Sequence, residues 1–206
     1  MCPLAYLLVA VIGYLLGCSN MALYIARYKK VDIRAKGSGN PGTANTVVLV
    51  GWKAGVLVGL HDIGKGVLAV LIAKTLFPQT DGIAEVAGAA CVIGHIYPVF
   101  LKFKGGKGFA SFVGMTIAID FWFALIIVVV IALVTLIFDY LVVGTTVTVV
   151  ALPVFCVFKY HSWIPAVIVA VATLLILFVH RKNFVRIFNG TEIGLRSTMK
   201  GEHRVK

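Results

Sequence analysis

Charge is scarce in this chain, and acidic charge is scarcest. Of 206 residues only 13% are Asp, Glu, Lys or Arg, and Asp and Glu together number eight. An ordinary soluble domain is about a quarter charged and about 45–50% apolar. Here the apolar set AVILMFWYC reaches 60%, and mean hydropathy is +1.00. So few polar side chains cannot cover a soluble surface. That excludes a soluble globular enzyme, a disordered chain and a secreted disulfide scaffold, and leaves an integral membrane protein.

Other absences narrow the chemistry. The four cysteines, Cys2, Cys18, Cys91 and Cys156, show no CxxC or CxH spacing and mostly lie in apolar runs. They are read as small buried hydrophobes. The N-terminus lacks a basic region ahead of its apolar run at residues 3–26, so that run is taken as a retained helix. HExxH, GxSxG and Walker A patterns are missing, as is any His/Cys metal spacing. No His is followed at the fifth position by Asp: the residues there are Gly66, Phe100, Ala166 and Val185. Any enzyme here works without that base and without an activated Ser or Cys nucleophile.

What is present is apolar length. Apolar runs fall at 3–26, 46–77, 83–101, 108–138, 140–158 and 163–179. A helical crossing needs about 20 apolar residues. The net charge of +11 comes from clustered cations: Arg27, Lys29, Lys30, Arg34 and Lys36; then Lys102, Lys104 and Lys107; then seven more from residue 180 onward. The positive-inside rule puts all three clusters in the cytoplasm. Two runs separate the first two clusters, which is even, as it must be. Three separate the second and third, which is odd. Dividing the overlong run 108–138 at Asp120, into 108–119 and 121–138, restores parity. The expectation is therefore an all-α integral membrane fold with seven transmembrane helices, some of them short. Its N-terminus is outside, its C-terminus is cytoplasmic, and residues 1–206 form a single domain. Helix 108–119 would reach only about 18 Å of a core of about 30 Å, so it must pack among the others. The start of the run 46–77 is read as part of the cytoplasmic loop.

Polar groups are costly in a membrane protein, so their positions inform. Three stretches concentrate them. GSGNPGTANT at 37–46 supplies three Gly, two Asn, a Ser and two Thr, a backbone free to turn its N–H groups toward an anion. Beyond it, His61, Asp62 and Lys65 sit inside an apolar helix, with Asp62 and Lys65 spaced to pair. GHIYPVFLKFKGGKG at 94–108 opens a helix with a Lys-Gly-Gly-Lys-Gly loop, where backbone N–H groups, the positive helix end and two lysines could meet an oxyanion. HRKNFVRIFNGTE at 180–192 places His180, Asn183 and Arg186 on one helical face, with a stop at Gly190 before Glu192. A site that binds oxyanions but holds no general base suits a reaction whose leaving group is already phosphate.

Together these stretches resemble the PlsY-type family of bacterial acyl-phosphate:glycerol-3-phosphate acyltransferases. The matching residues are GSGNPG at 37–42 with Asn45; Asp62 with Lys65 and Gly66; Gly94, His95 and Pro98 with FKGGKG at 103–108; and His180, Asn183, Arg186, Gly190 and Glu192. The resemblance implies transfer of a fatty acyl chain from acyl phosphate to the 1-hydroxyl of glycerol 3-phosphate, giving lysophosphatidic acid and phosphate. It implies no cofactor, no metal and no protein nucleophile, with the acceptor's own phosphate taking the proton. By the resemblance, Ser38, Lys104, His180 and Asn183 are the catalytic set and hold the acceptor phosphate. Gly94, His95, Gly105, Gly106, Lys107 and Gly108 hold the acyl-phosphate head. Gly37, Gly39, Asn40, Asn45, Asp62, Lys65, Arg186 and Glu192 complete the binding loops. The partners are the two substrates and membrane lipids, with no nucleic acid; the oligomeric state is left open, a monomer being compatible with the sequence. The location is the bacterial inner membrane with a cytoplasmic site.

Two stretches depart from the family pattern, the first also exchanging the threonine and alanine at 43 and 44. The family usually reads Ala-Thr-Asn-Val-x-Arg after GSGNPG; here residues 43–48 read TANTVV, so Val48 stands in place of the arginine that helps bind the acceptor. Losing such a charge-assisted contact costs about 1.5–3 kcal/mol, or about 10–150-fold in affinity. Lys53 is a candidate substitute. Gly194 also stands where a Lys often follows the Glu. Val48 leaves open a paralogue that is non-catalytic or takes another acceptor. A transporter of anionic solutes is disfavoured, because the loops 78–82 and 159–162 are short and nearly uncharged.

Overall fold

A computed structural model describes residues 3–199; Cys2 and the tail cations Lys200, Arg204 and Lys206 lie outside the described residues. Among the described residues, regular structure is helical throughout: α1 Pro3–Cys18, α2 Met21–Tyr28, α3 Thr43–Val50, α4 Trp52–Leu76, α5 Ile83–Ile96, a 3-10 turn Val99–Leu101, α6 Phe109–Ile119, α7 Phe121–Phe138, α8 Leu141–Tyr160, α9 Trp163–Phe188 and α10 Leu195–Met199. Six segments are long and apolar enough to cross a membrane: Pro3–Tyr28, Trp52–Leu76, Ile83–Leu101, Phe121–Phe138, Leu141–Tyr160 and Trp163–Phe188. Phe109–Ile119 is a shorter apolar helix. The division at Asp120 is real. Its carboxylate caps α7 by accepting from the Phe123 N–H at 2.8 Å.

The chain forms two compact units, Met1–Ile119 and Asp120–Lys206. The first is built on close backbone approach. A Cβ on Gly13 or Gly17 of α1 would strike the carbonyls of Ala87 and Cys91 on α5, and one on Gly94 would strike the Tyr14 carbonyl. Between α4 and α6, Gly66 lies against the Ser111 carbonyl and Gly114 against the Ile63 carbonyl. Small residues let helices touch where lipid offers no hydrophobic drive to association. This contact is what holds the short α6, whose Phe112 and Met115 are fully buried. At one end of this unit the Tyr6 hydroxyl donates to the Asp81 carbonyl at 2.6 Å, and Lys74 donates to the Ala118 carbonyl. The opposite end carries the basic segments 27–36 and 102–107, joined through Arg34 and Lys104.

One expectation is corrected. The start of the run 46–77 is not loop but the helix α3, parted from α4 by Gly51 at φ 115°, a backbone that side chains oppose. Helix α3 folds back because Val47 and Thr43 find room over Gly55 and Gly59 of α4.

The second unit is a three-helix arrangement, α7 to α9, whose apolar side chains mostly face outward. Only 17% of α7 is buried, against 67% of the span Ile83–Leu101. Inside it, the rings of Phe123 and Phe155 stack with centroids 3.9 Å apart, and the Thr173 hydroxyl donates to the Val149 carbonyl at 2.7 Å. Lys159 pairs with Asp120 at 2.6 Å and donates the hydrogen bond that holds this carboxyl below the usual carboxylate range; the Phe123 N–H adds to the effect.

Candidate active site

The loop 31–42 is anchored before it is functional. Ile33, 1% exposed, plugs between Ala22 and Ala26 of α2 and Val58 of α4. Asn45, in the first turn of α3, is buried and organises the rest. Its amide donates to the carbonyls of Ile33 at 2.9 Å and Lys36 at 3.2 Å, while its oxygen accepts from the Ser38 N–H at 2.9 Å. Gly37 and Gly39 take positive φ of 60° and 70°, which lets the chain reverse around Ser38. The Ser38 hydroxyl accepts from the Asn40 N–H at 3.4 Å. The Asn20 side chain caps α2 and also donates to the Pro41 carbonyl at 3.2 Å.

The lysine loop is held from two sides. Lys102 and Phe103 both adopt left-handed backbone, φ 55° and 57°, a costly conformation for residues with side chains, directly before Lys104. The N–H groups of Gly105 and Gly106 donate to the Ile96 and His95 carbonyls, each at 3.1 Å. Those two amides are therefore engaged with the end of α5 in this structure. The first-turn amides of α6, which follow Lys107 and Gly108, have no carbonyl within their own helix, an arrangement suited to an oxyanion. The Arg34 guanidinium donates to the Lys104 carbonyl at 2.5 Å. That single bond brings the Ser38 loop and the Lys104 loop together. Sequence reading counted Arg34 only as one of a cluster of cations. Its signal was the Asp two residues before it, since Asp32 accepts from the N–H groups of Arg34 and Ala35 and shapes the turn.

Beneath the loops lies a buried charged cluster. Lys65 Nζ is 2.9 Å from Asp62 Oδ1, 2.8 Å from His95 Nδ1, 2.7 Å from the Ser19 carbonyl and 3.1 Å from the Gly17 carbonyl. His61 adds contacts to the Ser19 hydroxyl at 3.0 Å and to Asp62 at 3.3 Å. An ammonium with four acceptors around it ties α1, α4 and α5 at one point. His95 Nε2 in turn abuts the α-carbon of Gly106, where no Cβ fits. So Asp62, Lys65 and His95, separate in sequence, form one support under the lysine loop. Gly94 faces α1, where its place is helix contact.

In the second unit, His180 and Asn183 are both buried on α9. His180 Nδ1 lies 2.8 Å from the Ile176 carbonyl, which can only accept, so Nδ1 carries the proton and Nε2 is the ring's other functional atom. Glu192 receives the Asn183 amide on one oxygen and the Arg186 guanidinium on the other, each at 2.5 Å. The predicted stop holds: α9 ends at Phe188, Gly190 has φ 66°, and the Thr191 N–H returns to the Arg186 carbonyl at 2.8 Å. Gly194 has a local reason, since a Cβ there would meet the Asp139 carboxylate. Lys53 lies over the Trp52 ring at 5.9 Å, while Val48 is half-buried on α3. Among the described residues no group of three or more His, Cys, Asp or Glu could hold a metal ion, and Cys18, Cys91 and Cys156 are buried and form no disulfide.

The chain is similar to known proteins over most of its length. A family model described as glycerol-3-phosphate acyltransferase matches residues 7–190. Similar proteins named glycerol-3-phosphate acyltransferase include one from Coxiella burnetii, 37% identical over 192 residues, covering 92% of this chain and 97% of the relative. Another, from Thermoanaerobacter pseudethanolicus, is 37% identical over 94% of this chain and 98% of its own. Among solved structures, the glycerol 3-phosphate form of PlsY, an integral membrane glycerol 3-phosphate acyltransferase, superposes with a TM-score of 0.88 at 32% identity, covering 94% of this chain and 97% of that one. The lysophosphatidic acid form of PlsY superposes with a TM-score of 0.81 at 33% identity, covering 92% and 94%.

Proposed function

The chain belongs to the glycerol-3-phosphate acyltransferase family, and from that premise we propose that it acylates glycerol 3-phosphate to lysophosphatidic acid with acyl phosphate as donor. It is a multi-pass integral membrane protein with bacterial relatives. The 1-hydroxyl of glycerol 3-phosphate attacks the acyl carbonyl carbon, the C–O bond to phosphate breaks, and inorganic phosphate leaves. The hydroxyl proton passes to the acceptor's own phosphate. Catalysis rests on positioning and on cations set against the two phosphates, in a site partly shielded from water.

The observation that carries this reading is the Arg34 bond to the Lys104 carbonyl. It sets a Ser- and Gly-rich loop beside a Lys- and Gly-rich helix start, two anion-binding elements for a reaction with two phosphates. Ser38 and Lys104 hold the acceptor phosphate, and Lys107, Gly108 and the start of α6 hold the donor head. His180 and Asn183 carry the family's acceptor assignment in the second unit. The whole chain works as one domain, a reading supported by a family match that runs across the boundary at Asp120. The basic ends face the cytoplasm, α6 counts as a seventh crossing, and the N-terminus is outside.

Phosphate release from palmitoyl phosphate by detergent-purified protein tests the reading, with and without glycerol 3-phosphate. Release should require the acceptor and fall about a hundredfold or more in Lys104→Ala. A lower acceptor KM in Val48→Arg would assign the departure at that position to acceptor binding. Release by Val48→Arg but not by wild type favours the paralogue with another acceptor. Silence in both overturns the chemistry.

A further inference from the structure

The turn between α7 and α8 does more than reverse the chain. Asp139 closes α7 in a left-handed conformation, φ 69°, with its N–H on the Thr135 carbonyl at 2.8 Å. From there it grips the chain that follows Glu192. Its carbonyl accepts from the Leu195 N–H at 2.7 Å, and its carboxylate accepts from the Arg196 N–H at 2.8 Å. Gly194 lies so close to the same carboxylate that a Cβ would strike it. The Arg196 guanidinium reaches back to the Leu136 carbonyl at 3.1 Å, and Leu195 sits in the apolar hollow lined by Thr135, Leu136 and Leu141. Five contacts from residues 194–196 therefore converge on a single turn more than fifty residues earlier.

That segment begins two residues after Glu192, whose two oxygens hold Asn183 and Arg186. A carboxylate at the end of a helix keeps a fixed place only if the chain beyond it is also fixed, because backbone freedom on that side converts directly into side-chain displacement. We propose that Asp139 is a positioning residue for the acyl transfer. By clasping residues 194–196 it fixes Glu192, and through Glu192 it sets the Asn183 amide for the acceptor. The proposal rests on the acyltransferase reading for its kinetic consequence, and on the clasp geometry alone for its structural one.

Two variants separate the clasp from the turn. Asp139→Gly keeps a residue that accepts φ 69° but removes the carboxylate, while Asp139→Asn keeps both the conformation and an acceptor oxygen. The full-length protein carrying Asp139→Gly should show glycerol 3-phosphate KM raised about fivefold, the size expected for one lost hydrogen bond, with the acyl-phosphate KM and the melting temperature unchanged. Amide hydrogen exchange at residues 183–196 should quicken in the same variant, and Asp139→Asn should restore both readouts. Gly194→Val, which drives a side chain into the carboxylate from the other side, should reproduce the Asp139→Gly profile. A folded Asp139→Gly with wild-type acceptor KM and wild-type exchange overturns the proposal. So does an equal rise in both KM values together with a lowered melting temperature, which would make Asp139 merely structural. If wild type shows no turnover, the acyltransferase reading fails. Exchange at residues 183–196 then decides the clasp: unchanged exchange in Asp139→Gly sinks it.

Discussion

The two units solve the same solvent problem in opposite ways. Residues 1–119 hold seventeen of the 21 glycines, whereas residues 120–206 hold four. In the first unit helix backbones touch, and a lysine and an aspartate are buried at the contact. In the second, Phe, Val, Leu and Ile point outward from α7 and α9, and ionised groups keep to the helix ends, at Asp120 with Lys159 and at Arg186 with Glu192. The comparison shows what glycine does here. Close approach brings the carbonyls of Gly17 and Ser19 at the end of α1, and the His95 ring of α5, within reach of the Lys65 ammonium on α4, so a charge can be kept inside. Without that approach, charge is cheaper at the ends.

The sharpest way to break this contrast is to thicken one helix in each unit. Gly114→Leu puts a side chain into the Ile63 carbonyl and should abolish recovery of folded protein, read by size-exclusion chromatography in detergent. Val129→Leu on the outward face of α7, 53% exposed, should change stability by no more than about 0.5 kcal/mol. Equal effects would remove backbone approach as the distinction. Next in size is the buried pair. Lys65→Ala leaves Asp62 charged and uncompensated and should cost about 3–5 kcal/mol in thermal or denaturant melts, while Lys65→Met with Asp62→Leu should recover much of it. A double variant as unstable as the single would mean the charges themselves are required.

The smallest effect belongs to the second unit. The carboxyl of Asp120 is held below its ordinary value, so the stability it contributes is present above the unfolded carboxylate pKa, about 4, and is lost as pH falls through the lower folded value. Asp120→Asn, which keeps the helix cap, should melt below wild type at pH 7 by less than about 1 kcal/mol, because both partners are partly exposed. The gap should close as the pH drops under 4. A gap that persists there would point to the cap rather than the ion pair.

Much of the site was legible because its residue types are unusual for a membrane. Asp62 and Lys65 stood out as ions in an apolar run and are found paired. Glu192 after a glycine stop is found holding the two α9 residues that shared a face. Arg34 was read only as charge although Asp32 two residues before it marks the turn, and Asp139 carried no signal at all. The helix α3 was misread as loop because its eight residues are too few to show a period and its stability lies in contacts with Gly55 and Gly59.

Composition, run length and the spacing of cations, by themselves, determined the membrane class, the break at Asp120 and the three polar stretches, because each is written in local residue types against a lipid solvent. Which of these stretches meet was decided only by the tertiary structure. Arg34 binds the carbonyl of Lys104, Lys65 those of Gly17 and Ser19, and the chain at Leu195 that of Asp139. Every residue carries a backbone carbonyl, so an acceptor of that kind leaves no mark on the sequence; it exists as a partner only once the helices have come together.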